Sequence, residues 1–344
     1  MAGHNSTLDT SLKSWEEIKG QFDKSEILIG NGLSCAVWGK FQYTSLFEKS
    51  CSIPNHPLSE SDIQFFTEWE ANGNFEKVLD NLLITKKTSE ILGQSNTSDV
   101  QILVRERYNN IRNALIEAVK EVHILWTGLR PNVLRSIREE LKNYKCVYST
   151  NYDLLIYWAI MSHPNPNPFS DCFRSHQFDI TKTETSESLT RVLYLHGAIH
   201  LCRKMEVTEK LVNNSEENIL NQFETLWDIE NNVTPLFIAE GNSKEKKEAI
   251  RRSDYLSFAY SEFEKPKKFL VVFGHSLGDS DMHLINTIKA AKIPKIAISM
   301  RANGSANELP MARLRDIFSS TSDLLFFDSR SHPFGNLRQS NFKG

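Results

Sequence analysis

The chain has 344 residues, 40% hydrophobic and 24% charged, which is enough apolar material for a sizeable core and excludes a disordered chain. Its net charge of −3 goes with the lack of a basic stripe, so direct nucleic-acid binding is not expected; the densest basic run, Lys244 to Arg252, reads as one solvated helix. Five scattered cysteines without a CxxC pair exclude a disulfide framework and a cysteine zinc site. No apolar run approaches the ~18 residues of a membrane span, and the first twenty residues are polar, so a cytoplasmic location is expected.

In chain order, "SLKSWEEIKGQF" places Leu12, Trp15, Ile18 and Phe22 near helical spacing. "SEILIGNGLS" follows, with Ile27 to Ile29 as a short buried strand and a helix expected from Ser34 to about Phe47. Residues 51–142 read almost wholly helical, and the pattern predicts a helical insertion between the first two strands. Strands alternate with helices afterwards. "KCVYST" (145–150), "RVLYLHG" (191–197), "AIHLCR" (198–203), "TPLFIAEG" (234–241), "KFLVVFG" (268–274), "KIAISM" (295–300) and "DLLFFDS" (323–329) read as strands. Helices are expected near 152–160, 216–229, 243–251, 254–264, 280–291 and 308–318. The pattern predicts an α/β chain: a Rossmann-like, mostly parallel sheet with helices on both faces and a helical insertion. In such sheets ligands bind beyond the carboxyl ends of the strands.

That rule collects four stretches. Gly30-Asn31-Gly32, Ser149-Thr150-Asn151, His196-Gly197 and Gly274-His275-Ser276 each follow a strand. The two glycines of "GNGLS" suit either a tight turn or a phosphate held on backbone N–H groups. Neither the GxGxxG nor the Walker spacing is present. In "STNYD", Ser149, Thr150 or Asn151 suits a helix cap, and Asn151 also suits a rigid carboxamide that orients a water or a sugar hydroxyl. His196 ends an apolar run and precedes glycine, where an imidazole suits proton transfer near neutral pH. His200 has no such context and reads as structural. "GHSLGDSDMH" offers a glycine turn and a capped helix, or a second nucleotide loop; its histidines and aspartates raise metal binding, but no HExxH is present and no metal is expected. Glu240 precedes a helix that Asn242 or Ser243 would cap.

The ordered set GNGLS, STNYD, LHG, GHSLGDSD resembles the sirtuin-like superfamily, whose pattern runs GAG-x-S, T-x-N-x-D, a base histidine before glycine, and a G-[TY]-S ribose loop. It is more similar to bacterial sirtuin-like proteins of antiviral defence than to protein deacylases. The resemblance runs from about 25 to 330 and implies one sirtuin-like domain over 1–344, with 51–142 inserted. It implies Asn151 as the residue that orients the attacking water and His196 as general base. Gly30, Asn31, Gly32 and Ser34 would form the phosphate loop, Asp153 would help position NAD, and Gly274, His275 and Ser276 would lie beside the adenosine ribose. Two departures bear on activity: Asn31 stands where deacylases have alanine, and the four-cysteine zinc ribbon that frames an acyl-lysine groove is absent. The resemblance therefore implies an NAD hydrolase that yields ADP-ribose and nicotinamide, with NAD as substrate and no metal. It further implies a toxic effector of antiviral defence, gated by assembly or by a partner encoded nearby that senses infection. The alternatives are a non-catalytic NAD or ADP-ribose sensor subunit and a zinc-free deacylase or ADP-ribosyltransferase.

Overall fold

The computed structural model describes residues 11–337 except 42–44, 93–98, 163–166, 174, 212–218, 220, 221, 223–226, 228, 240 and 303. The helix expected at 216–229 lies largely outside the described residues, and so does Glu240.

Ten strands are described. They are β1 (Glu26–Ile29), β2 (Cys146–Ser149), β3 (Phe169–Ser170), β4 (Thr190–Tyr194), β5 (Gly197–Lys204), β6 (Val207–Lys210), β7 (Val233–Phe237), β8 (Phe269–Phe273), β9 (Lys295–Met300) and β10 (Asp323–Asp328). Seven form one sheet in the order β10-β9-β8-β1-β2-β4-β3, with every neighbouring pair parallel. The fold is Rossmann-like α/β. The central strands are apolar throughout because both faces are covered. Ile27, Leu28, Ile29, Val147, Val192, Leu193, Val271 and Val272 are all fully buried.

β5, β6 and β7 form a separate antiparallel sheet in the order β6-β5-β7. The chain therefore leaves the parallel sheet at the end of β4, and His196 sits at that corner, one residue before β5. Gly197 makes the corner with a φ of +70°, and a side chain there would meet the Leu236 carbonyl.

Between β1 and β2 run α-helices Leu46–Ser52, Glu60–Glu68, Phe75–Leu92, Asp99–Val122 and Pro131–Leu141. Phe75–Leu92 and Asp99–Val122 pack through stripes at helical spacing: Val78, Leu79 and Leu82 on one, Tyr108, Ile111 and Leu115 on the other. The helix after β1 is shorter than the sequence suggests. It spans only Gly32–Val37 and ends in a 3₁₀ turn at Gly39–Phe41. No helix among the described residues is long and apolar enough to cross a membrane.

Candidate functional site

The strands β4, β2, β1 and β8 are consecutive neighbours in the parallel sheet. Their carboxyl ends are level, since Ile29 pairs with Ser149 and Phe273, and Ser149 pairs with Tyr194. The four stretches picked out by the strand-end rule thus leave the same rim side by side.

The glycines of the first loop serve the loop after β8. Gly30 N–H donates to the Phe273 carbonyl at 2.9 Å, and Gly32 N–H to the Gly274 carbonyl at 2.8 Å. A Cβ on Gly32 would stand 2.5 Å from Gly274 Cα, and one on Gly30 would stand 2.7 Å from the Gly274 carbonyl oxygen. Gly274 itself has a φ of +65°. Three glycines therefore interlock two backbones. Those two amides are committed to protein carbonyls, which leaves the close backbone approach, and not the glycine N–H groups, as what the loop offers a ligand.

Beyond β2, Asn151 is not a helix cap. The helix starts at Leu155, and Leu155 N–H donates to Asp153 Oδ1 at 2.9 Å. Ser34 Oγ donates to Asp153 Oδ2 at 2.5 Å, and Asn151 Nδ2 donates to Ser34 Oγ at 2.9 Å. With Asp153 ionised, the direction of this chain follows. A carboxylate only accepts, so the serine hydrogen points at Asp153, and the serine oxygen must accept from the amide. The carboxamide is locked, with its carbonyl oxygen turned away from Ser34. Asn151 Oδ1 is buried and has no protein partner. Burial pushes the Asp153 carboxyl up from its ordinary range, and the hydrogen bonds from Ser34 and the Leu155 amide oppose it. Ser34 is fully buried and its hydroxyl is engaged on both sides, so it supports Asn151 and is not available to a phosphate.

His196 is buried, with Nε2 2.9 Å from His283 Nε2. Burial pushes its imidazole well below the ordinary value; Lys246, His283 and His275 add to this and Asp281 opposes it. The ring is therefore neutral at pH 7, the state a general base requires. Lys246 Nζ pairs with Asp281 Oδ1 at 2.7 Å, and His275 Nε2 lies 3.8 Å from Asp281 Oδ2. Burial works to raise the Asp281 carboxyl, but His196, His275 and the Lys246 ammonium outweigh it and hold it at about 2. His275 Nδ1 accepts from Leu277 N–H at 3.0 Å, which braces the loop after β8.

Two cavities meet at the glycine lock. The first, about 430 Å³, is lined by Asn31, Asn151, Asp153, His196, Gly274, His275 and Ser276 from the sequence-derived set, together with Lys40, Lys246 and Asp281. The second, about 590 Å³, is lined by Gly32, Gly274, Ser299, Arg301, Ser329 and Arg330 among others. Gly274 borders both. Gly30 and Ser34 line neither and act behind the wall. Both volumes suit a small molecule. The sequence pattern did not single out Lys40, Lys246, Arg301 and Arg330, and it raised Asp281 only as a possible metal ligand; Arg301, just past the end of β9, follows the same strand-end rule and was legible in principle. Asp281, His196 and His283 also bring three potential metal-ligand atoms within 4.8 Å of one another.

Fold and site define a class: a Rossmann-like α/β protein with two cavities at the carboxyl ends of its central strands, both bordered by Gly274. Within that class the chain belongs to the family described as "Domain of unknown function (DUF4917)", whose pattern matches residues 27–333. No curated protein matches it. Among solved structures, one described as "Structural Basis for the Mechanism and Regulation of Sir2 Enzymes" is similar over 94% of this chain and 96% of that one, at 13% identity and a TM-score of 0.35. At that distance the functional reading rests on the site's own residues.

Proposed function

We propose that the cleft binds NAD and hydrolyses it to ADP-ribose and nicotinamide. One observation carries the reading: Asn151, whose carboxamide is locked by Ser34 and whose Oδ1 lacks a protein partner, lines the same cavity as His196. A buried carbonyl oxygen without a partner is costly unless a ligand or water supplies a donor. The two lobes fit a dinucleotide. The nicotinamide riboside would occupy the lobe of Asn151 and His196, and the adenosine the lobe of Ser299 and Arg301. The diphosphate would cross at Gly32 and Gly274, with charge supplied by Lys40, Arg301 and Arg330.

Each residue has a task in this reaction. The Asn151 oxygen accepts a hydrogen from the attacking water or the ribose. His196 takes the water proton, and the water oxygen bonds to the anomeric carbon. The electron pair of the C–N bond leaves with nicotinamide, which departs neutral because it began as a cation. The proton on His196 then passes to solvent. Ser34 and Asp153 act through Asn151 by fixing its direction. The catalytic gain comes from orientation and proton removal.

From the resemblance we further propose a toxic role in antiviral defence, with activity restrained by a nearby-encoded partner or by assembly. The test is NAD turnover by the purified chain, with products separated by chromatography, alone and with the proteins of neighbouring genes. Nicotinamide and ADP-ribose should appear in equal amounts. Asn151→Ala and His196→Ala should each lower the rate about 10²- to 10⁴-fold, the range of a lost acid–base or orienting group. NAD that binds but stays intact under every condition would replace this reading with that of a sensor.

A further inference from the structure

The stretch Gly274 to His283 holds one histidine that a nucleotide loop does not need. His283 is the second residue of the helix Met282–Ala290, and it is buried. It meets His196 nitrogen to nitrogen at 2.9 Å, with the rings 29° from parallel. Such a contact holds only when one nitrogen carries a hydrogen and the other does not. Two lone pairs, or two N–H groups, would repel each other. The two rings must therefore be in opposite states at Nε2.

The other nitrogen of His283 has its own partner. Nδ1 lies 3.3 Å from Ser243 Oγ, and that same oxygen accepts the His283 backbone N–H at 2.7 Å. Ser243 opens the helix Ser243–Arg251, whose cap is Asn242. The imidazole is thus held at two points, by His196 and by Ser243, and Ser243 also fixes the backbone that carries it.

We propose that His283 is the positioning residue of His196. In this arrangement His196 Nε2–H donates to His283 Nε2 and His283 Nδ1–H donates to Ser243, so that His196 presents a bare Nδ1 to the substrate. The inference rests on the hydrolase reading for its kinetic consequence, but not for its geometry. When Nδ1 takes a proton from water, the Nε2 proton of His196 passes to His283 Nε2. The positive charge then moves one ring away from the oxocarbenium-like centre, and no atom is gained or lost within the pair. Without His283, the imidazolium charge would stay beside a cationic reaction centre.

The groups that face this pair set its charge. Lys246, Asp281, His283 and His275 act on His196; Asp281, Lys246, His275 and Lys247 act on His283. Burial pushes His283 down to about 4, with Asp281 opposing and the lysines and His275 adding to it. The pair is neutral at rest, and among the described residues Asp281 is the anion that opposes burial at both rings. A metal held by His196, His283 and Asp281 would be the competing use of the same atoms. The Lys246 ammonium already occupies Asp281 at 2.7 Å, and a dication would have to sit beside that charge.

The test is imidazole ¹⁵N NMR of the full chain with labelled histidine and no substrate, with His196 signals assigned from His196→Ala. In the unaltered chain, His196 should be the Nε2–H tautomer and His283 the Nδ1–H tautomer, with linked titrations. His283→Gln keeps a polar side chain but cannot relay a proton, and it should shift both the His196 nitrogens and its midpoint. Unchanged His196 signals in His283→Gln would overturn the proposal, whether or not the chain consumes NAD. If His283→Gln does not fold, Ser243→Ala provides the second variant and should change the His283 tautomer balance. In NAD turnover, His283→Gln should lower kcat about 10- to 100-fold with KM unchanged, and move the acid limb of the pH profile. A stoichiometric transition metal in the purified chain that is lost in His283→Gln would also overturn it. Absence of NAD turnover in the unaltered chain would refute the hydrolase reading and leave the NMR result standing.

Discussion

Among the described residues, two of the buried oxygens without a hydrogen-bond partner, Asn151 Oδ1 and Glu76 Oε2, differ in what surrounds them. Asn151 lines a cavity of about 430 Å³ at the rim of the parallel sheet, and its Oδ1 is buried behind that surface. Glu76 Oε2 lies in the helical block, on the helix Phe75–Leu92, beside a cavity of about 30 Å³. Space of the second size admits about one water. The Glu76 carboxyl resolves its isolation by keeping its proton. Burial and then the Asp80 carboxylate push it up to about 8, against the pull of Arg203 and Arg252. Asp80, one turn along, is paired instead with Arg203 of β5. An amide carbonyl has no such exit at neutral pH. An unpartnered oxygen with room is a place for a ligand, whereas one without room is a matter of protonation.

Three substitutions would break or sharpen this contrast. Asp153→Asn should have the largest effect on function. An amide at 153 can donate to Ser34, which frees the serine hydrogen to turn toward residue 151 and unlocks the carboxamide. Turnover should fall about 10- to 100-fold while the melting temperature holds; equal turnover in steady-state assays would show that the donor chain does not set the geometry. Gly32→Ala should act on stability. Its Cβ would meet backbone at 2.5 Å, and overpacking of this kind costs about 1–3 kcal/mol, readable as a lowered denaturation midpoint. Glu76→Gln should have the smallest effect, visible mainly as a change with pH. Because the folded-state value is raised from 4.5 to about 8, the native chain binds more protons than the unfolded chain in that window. Stability contributed by the protonated carboxyl is complete below about 4.5 and is lost as pH rises through about 8. The glutamine variant should therefore gain in melting temperature over the unaltered chain at pH 8 and little at pH 5. Turnover should be unaffected, because Glu76 lies outside the cleft.

The central strands were legible in the sequence because strands covered on both faces read as unbroken apolar runs. β1 and β8 run directly into Gly30 and Gly274, β2 ends at Ser149, and β4 is followed by Leu195 and then His196. The peripheral strands were not. β3 has two residues and β6 reads "VTEK", neither of which carries a periodic signal. The departure of β5 and β7 into their own sheet depends on the corner at Gly197, which local pattern does not encode. Asn151 and His196 stood out because their residue types are unusual just past a strand. Asp281 and His283 were legible only as possible metal ligands, Ser243 only as a helix cap and Lys246 not at all, since their joint meaning arises only when two helices about 40 residues apart in sequence pack against each other. The two glycines of "GNGLS" were read as a phosphate cradle or a turn. Much of their constraint comes instead from a third glycine more than 240 residues away, a contact that no local motif displays.

The most direct measurement is a crystal structure of the chain with a non-hydrolysable NAD analogue. The account expects the nicotinamide riboside within hydrogen-bond reach of Asn151 Oδ1, the diphosphate across Gly32 and Gly274, and the adenosine in the lobe of Ser299 and Arg301. An analogue bound elsewhere, or one that does not bind, would contradict it.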